Sequence, residues 1–144
     1  YVHWRTISFG DTDAAAIVYT TRFTDYCMDA SEVWFRDYLA MDWYDININQ
    51  GLGFPVVHME LDFMSSLIGG DKLGVIVRVT KIGKTSVTLE FEGIKDNGTE
   101  QHSKCFTAKF IHCFYSNEQA GAIPIPDRQR KLLDDYLICS ITIV

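Results

Sequence analysis

With 144 residues, 47% of them hydrophobic and 22% charged, the chain carries enough apolar matter for one domain with a core and too little length for two of ordinary size. A formal net charge of −6 excludes general attraction to a nucleic-acid backbone and leaves only local basic patches for phosphate. The balance is that of a globular protein, and residues 1–144 are expected to form a single domain.

The chain opens with a short extended stretch, Val2 to Phe9, followed by a joint, Phe9-Gly10-Asp11-Thr12-Asp13, that holds two carboxylates one residue apart. From about Thr21 to Leu39 apolar residues recur at helical spacing: Phe23, Cys27, Ala30, Trp34 and Tyr38, widened by Tyr26 and Val33, with Asp25, Asp29, Glu32 and Arg36 opposite. Thr20 or Thr21 is placed to cap this helix, and Asp25 puts negative charge in the first turn, where the dipole favours it. Glu32 and Arg36 are spaced as an i,i+4 surface pair.

Strands are expected from Phe54 to about Tyr115. Val57-His58-Met59-Glu60-Leu61-Asp62-Phe63 alternates apolar with polar, the pattern of a strand with one face buried. Turns at Gly69-Gly70-Asp71 and Ile82-Gly83-Lys84 bound a strand from Leu73 to Thr80. Thr85 to Ile94 alternates again, and Asp96-Asn97-Gly98, which tolerate positive φ, join it as a hairpin to Gln101–Tyr115. That strand sets Phe106, Ala108, Phe110, His112 and Phe114 on one face. Pro124-Ile125-Pro126 breaks the pattern, and Asp127 is placed to cap a final helix through Arg130, Leu133 and Tyr136. The order is strand, long apolar helix, then four strands in antiparallel succession. It predicts an α+β arrangement in which a curved antiparallel sheet of about five strands wraps the helix. Open sheet edges make pairing into a dimer the expectation.

Cys27, Cys105, Cys113 and Cys139 show no C-x-x-C pair and no metal-ligand spacing. Cys105 and Cys113 share one strand, about 26 Å apart, beyond disulfide reach. Reduced thiols and a cytoplasmic location are the plain reading. No secretory leader stands out, and the apolar run near Leu137 to Val144 is too short and interrupted to span a bilayer, so neither membrane nor nucleic acid is expected as a partner.

Asp11 and Asp13 have a structural reading, since Asp favours turns and caps by bonding nearby amides. They also have a chemical one: an ionised carboxylate beside unpaired helix-start N–H groups suits acyl transfer. Ser31 and Ser86 lack visible His or Asp partners, which argues against a serine hydrolase.

Phe9-Gly10-Asp11-Thr12-Asp13, with Ile17-Val18-Tyr19 and a helix bearing Asp29-Ala30-Ser31 and Trp34-Phe35, resembles the hotdog-fold acyl-CoA thioesterases of the 4-hydroxybenzoyl-CoA thioesterase type. The likeness continues through the strand of Phe63, Asp71-Lys72-Leu73, Gly83-Lys84-Thr85-Ser86 and the tail Ala122-Ile123-Pro124-Ile125-Pro126. It implies a hotdog fold and hydrolysis of a short or aromatic acyl-CoA to the free acid and coenzyme A. Asp13 would be the catalytic carboxylate, as nucleophile or as general base, and the backbone N–H of Thr20, or next Thr21, would polarise the thioester carbonyl. Tyr19 and Phe23 would be core or pocket wall. Lys84 and Thr85 would receive the nucleotide, with Lys81 close by and Arg128 after the tail. No metal or cofactor is implied, coenzyme A being part of the substrate. A homodimer assembling into a homotetramer is implied, with the site at a subunit interface. This chain has Ala14-Ala15-Ala16 where the family has Gly, which keeps open a binding module that holds acyl-CoA or an acyl carrier without turnover. His58 and Glu60 on one strand suggest a hotdog dehydratase, although that activity wants a different loop.

Overall fold

The computed structural model describes the backbone of residues 1–142 and the side chains of residues 1–137, so Cys139 and most of the final apolar run lie outside the described side chains. The elements are β1 (Val2–Thr6), α1 (Arg22–Leu39), β2 (Leu52–Gly53), β3 (Val56–Phe63), β4 (Lys72–Ile82), β5 (Ser86–Lys95), β6 (Ser103–Cys113), β7 (Tyr115–Ser116), β8 (Gly121–Ala122) and α2 (Asp127–Thr142). Five strands form one antiparallel sheet in the order β1-β4-β5-β6-β3, and β2, β7 and β8 form a small second one.

β4, β5 and β6 make the expected meander, joined by turns in which Gly98 takes φ 73°. β3 departs from expectation. It pairs with β6 at the far edge, Phe63 opposite Phe106 and Met59 opposite Phe110, and does not neighbour β4. The crossing from β3 to β4 is held at the end of the sheet: Met64 and Ser65 donate N–H bonds to the Cys105 carbonyl at 2.8 and 3.1 Å, and the Leu67 carbonyl accepts from Val18 at 2.8 Å. Leu67 itself is fully buried. That hydrophobic plug drives the chain across the sheet end toward β1.

α1 lies on the inner face of the sheet, against Val75, Val77, Leu89, Phe91, Phe106 and Phe110, all buried. Its own buried stripe is Phe23, Tyr26, Cys27, Ala30, Ser31, Trp34, Phe35 and Leu39. The stripe is rotated from the one expected: Phe35 and Leu39 are inside, whereas Tyr38 is exposed and Val33 half-buried. Ser31 is tolerated inside because its hydroxyl donates to the Cys27 carbonyl at 2.8 Å. Arg36 pairs with Asp37 at 3.0 Å instead of Glu32. The helix ends at Ala40, in the left-handed region at φ 52°. Between α1 and β2, Asp45–Asn49 form a π turn that no strand or helix pattern announced.

α2 covers the flank of β4. Leu133 is fully buried, the Tyr136 hydroxyl donates to the Val77 carbonyl at 2.7 Å, and its ring meets Trp34 at 5.2 Å. Asp127 is the first helical residue and not the cap. The two helices leave β3 bare. Val57, Met59 and Phe63 are 62%, 38% and 51% exposed, so the apolar face expected to be buried is uncovered within one chain. Among the described residues no helix is long and apolar enough to cross a membrane. Cys27, Cys105 and Cys113 are free thiols.

Candidate active site

The joint between β1 and α1 folds into a small hairpin of its own. Tyr19 donates its N–H to the Asp11 carbonyl at 3.0 Å, Thr12 and Val18 pair antiparallel, and Asp13 donates to the Ile17 carbonyl at 2.9 Å. Residues 13–17 form the tip, closed by an Ala16 N–H bond to the Asp13 carbonyl at 2.9 Å. The tip needs a left-handed residue, and Ala16 supplies it at φ 61°. Glycine would adopt this conformation without strain, which is the physical content of the Gly-to-Ala departure in the loop.

The two carboxylates have different surroundings. Asp11 has a side chain only 14% exposed, and its Oδ2 accepts the Tyr26 hydroxyl at 3.0 Å, with Arg5 at 3.8 Å and Arg22 at 4.0 Å from its oxygens. Burial, and then the bond to Asp11, push the Tyr26 hydroxyl pKa up, so it stays a donor. Asp13 is exposed at the tip. Its Oδ1 accepts the Ala15 N–H at 2.8 Å, and among the described residues Oδ2 has no partner.

Thr20 and Thr21 connect the hairpin to α1. Thr21 stands at the cap position but makes no side-chain cap bond, because its backbone is already helical at φ −71° and ψ −18°. Arg22 donates to the Tyr19 carbonyl at 2.9 Å, while the N–H groups of Thr20 and Thr21 have no acceptor among the described residues. Thr20 lines a cavity of about 310 Å³ together with Ile17, Val18, Phe23, Phe63 and Met64. Phe23 is buried in the core and also lines this cavity. Gly93 leaves the room for this: a Cβ there would run into the Phe106 ring, which in turn meets Phe23 at 5.3 Å. Tyr19 is 53% exposed and is neither core nor wall; it contributes through its main chain.

Lys81, Lys84, Thr85 and Arg128 lie at the opposite end of the sheet. The span along β6, from Phe106 opposite Phe63 to Cys113 opposite Ser86, is about 23 Å at the rise of an extended strand. One chain does not bring the two groups together. At this far end Arg130 donates to the Gly83 carbonyl at 2.6 Å and the Lys84 carbonyl at 3.4 Å, and Ile125 donates to the Lys84 carbonyl at 2.9 Å. With those carbonyls turned toward α2, the planar peptides aim the amides of Lys84 and Thr85 away from it. Lys81, Lys84 and Arg128 are exposed around the turn. A second cavity of about 470 Å³ opens at this same end, against Met28, Trp43, Phe54, Pro55 and Tyr115.

His58 and Glu60 form an exposed pair at 2.7 Å, and that bond holds the Glu60 carboxyl below the usual range. His112 is buried, with Nδ1 bonded to the Phe54 carbonyl at 3.0 Å, as a core histidine would be. Two fastenings went unread in the sequence. A tyrosine on a buried helix stripe must find an acceptor, which signals the Asp11–Tyr26 bond. The Arg130 tie to the turn left no comparable mark.

A profile of the thioesterase-like superfamily matches residues 7–133. The 1,4-dihydroxy-2-naphthoyl-CoA hydrolase of Synechococcus elongatus is 28% identical over 138 residues, spanning 95% of this chain and 94% of that protein. A thioesterase-superfamily structure from Jannaschia sp. CCS1 superposes with a TM-score of 0.84 and 27% identity, over 95% of this chain and 92% of that one. A 4-hydroxybenzoyl-CoA thioesterase mutant complexed with 4-hydroxybenzoyl-CoA shares the fold, with a TM-score of 0.85, 20% identity and coverage of 92% and 97%. The first and last of these relatives are named as a hydrolase and a thioesterase of CoA thioesters, the enzyme class expected from the sequence. A match running from Ile7 to Leu133 takes in the hairpin, α1 and every strand from β2 to β8, and it makes the chain a member of the thioesterase-like superfamily with the hotdog fold.

Proposed function

We propose that the chain, as a single domain, hydrolyses an aromatic acyl-CoA to the free acid and coenzyme A, with Asp13 as the catalytic carboxylate and the Thr20 N–H as donor to the thioester oxygen. The observation that carries this reading is Thr20, which lines a cavity walled by Phe23 and Phe63, whose amide has no acceptor among the described residues, and which follows a hairpin whose exposed carboxylate keeps one oxygen free among them. The hydroxylated benzoyl and naphthoyl thioesters in the relatives' names favour aromatic acyl groups over straight chains.

The chemistry follows from that placement. A thioester oxygen on the Thr20 amide gains its strongest hydrogen bond when the carbonyl carbon becomes tetrahedral, and one such donor lowers the barrier by about 3 kcal/mol. As general base, Asp13 takes a proton from water while the water oxygen adds to the carbonyl carbon; collapse breaks the C–S bond and returns the proton to the thiolate. As nucleophile, Asp13 bonds to the carbonyl carbon and expels the thiolate, and water then cleaves the anhydride. Rapid-quench recovery of an acylated Asp13 peptide separates the routes. Water is the only co-reactant, so no cofactor is called for.

The 23 Å between the Thr20 end and the Lys84 end suits a two-fold assembly. If β3 pairs antiparallel with β3 of a second copy, the Phe63 end of one chain meets the Pro55 end of the other. The cavity beside Thr20 then abuts the partner's cavity and basic turn, and the open edge of β3 is paired. Two such dimers would make the homotetramer.

The test is thiol release from benzoyl, hydroxybenzoyl, 1,4-dihydroxy-2-naphthoyl and straight-chain acyl-CoAs. Asp13→Asn should lower kcat on the order of a thousand-fold on the best substrate with the fold intact. Saturable binding with no thiol release across the panel would leave a binding module in place of an enzyme.

A further inference from the structure

We infer that Asp11, through its hydrogen bond with Tyr26, is the positioning residue of the candidate catalytic hairpin; the inference rests on the hydrolytic reading above. Asp11 stands at the base of the hairpin and fastens three pieces of chain at once. Its carbonyl accepts the Tyr19 N–H at 3.0 Å, which fixes the peptide leading into Thr20. Two residues on is Asp13. The Asp11 carboxylate accepts the Tyr26 hydroxyl at 3.0 Å, and Tyr26 lies one helical turn into α1 and is 1% exposed.

The surroundings make this bond a rigid one. The Arg5 guanidinium stacks over the Tyr26 ring at 4.4 Å and is itself anchored on Asp29 at 2.9 Å, while Arg22, paired with Asp25, flanks the other oxygen of Asp11. The Tyr26 ring also packs edge-on against Phe23, the cavity wall, at 6.0 Å. The carboxylate, the helix-start amide and the aromatic wall are therefore referred to one buried point. Release of that point lets Asp13 and Thr20 drift relative to each other, and a displacement near 1 Å between reacting groups costs on the order of a hundred-fold in rate.

Three variants test this. Tyr26→Phe keeps the ring and its packing and removes only the hydroxyl. Asp11→Ala removes the acceptor, and Asp11→Asn keeps an oxygen that can accept. Expected are a kcat lowered ten- to hundred-fold in Tyr26→Phe and Asp11→Ala with KM within about two-fold, a double variant no worse than the poorer single one, and substantial recovery in Asp11→Asn. Unchanged kcat per folded molecule, or penalties that multiply in the double variant, would overturn the assignment. Amide exchange gives a readout free of turnover: the Ala16 and Tyr19 amides should exchange at least ten-fold faster in Tyr26→Phe while the amides of β4 to β6 keep their protection. An inactive parent would remove the hydrolytic reading alone, and exchange that stays unchanged at Ala16 and Tyr19 would remove the positioning role.

Discussion

Ala16 holds the hairpin tip at φ 61°, where a Cβ costs an L residue about 1–2 kcal/mol. Glycine gives back part of that gain through its freer unfolded state. Ala16→Gly is therefore expected to raise stability by about 0.5–1 kcal/mol, seen as a melting temperature a few degrees higher in thermal unfolding. A different residue sets the pH response. His112 is buried, its Nδ1 bonded to the Phe54 carbonyl, and Nε2 faces the core with no partner among the described residues. Burial lowers its pKa more than the backbone bond restores it. In the unfolded chain the ring binds a proton below about 6.5, and in the fold it resists doing so. Its contribution to stability is thus complete above about pH 6.5 and is lost as pH falls toward the lowered folded value, at up to about 1.4 kcal/mol per pH unit. Denaturant midpoints measured from pH 7.5 to 5 should fall in the parent and fall less in His112→Gln.

At the scale of elements, α1 and the meander β4-β5-β6 were legible because their patterns are local. A period near 3.6 marks the helix, a period of 2 with Gly and Asn turns marks the strands, and each can be read within a short window. The position of β3 was not legible. Its alternation is real, but which neighbour it takes depends on Leu67 and the crossing chain, contacts remote in sequence. Asp45–Asn49 escaped for another reason: Asp42, Asp45, Asn47 and Asn49 build the turn from their own side-chain bonds, which leave no hydrophobic period. In the candidate site, the family likeness pointed to Asp13 and Thr20, while the fastening at Tyr26 depends on a hydroxyl meeting a carboxylate 15 positions away. The tie between α2 and the Gly83–Thr85 turn supports a prediction at this scale. Arg130→Gln should loosen the turn and raise KM for an acyl-CoA several-fold with kcat unchanged, and should leave KM unaltered for the same acyl group on pantetheine, which lacks the nucleotide. Equal effects on both thioesters would detach the turn from nucleotide binding.

For the whole molecule the net charge of −6 and the bare edge of β3 act together. In the reaction proposed above coenzyme A is a polyanion that the average surface repels, so the exposed Lys81, Lys84 and Arg128 would have to act locally against the far field. The edge carries the assembly proposed above. Met59→Lys places a charge in its apolar row, and sedimentation should then show a monomer that has lost most thiol release, with α1 and the sheet still folded by circular dichroism. A monomer with parental activity would mean that one chain is sufficient.

The uncovered β3 has a consequence for handling the protein. If its site is completed only by a second copy, turnover per chain obeys mass action: it should stay constant at high concentration and drop once dilution passes the dissociation constant, with saturating substrate pulling the chains back together. The melting temperature should climb with concentration for the same reason. Assays run at nanomolar protein would then report the equilibrium between copies before they report chemistry.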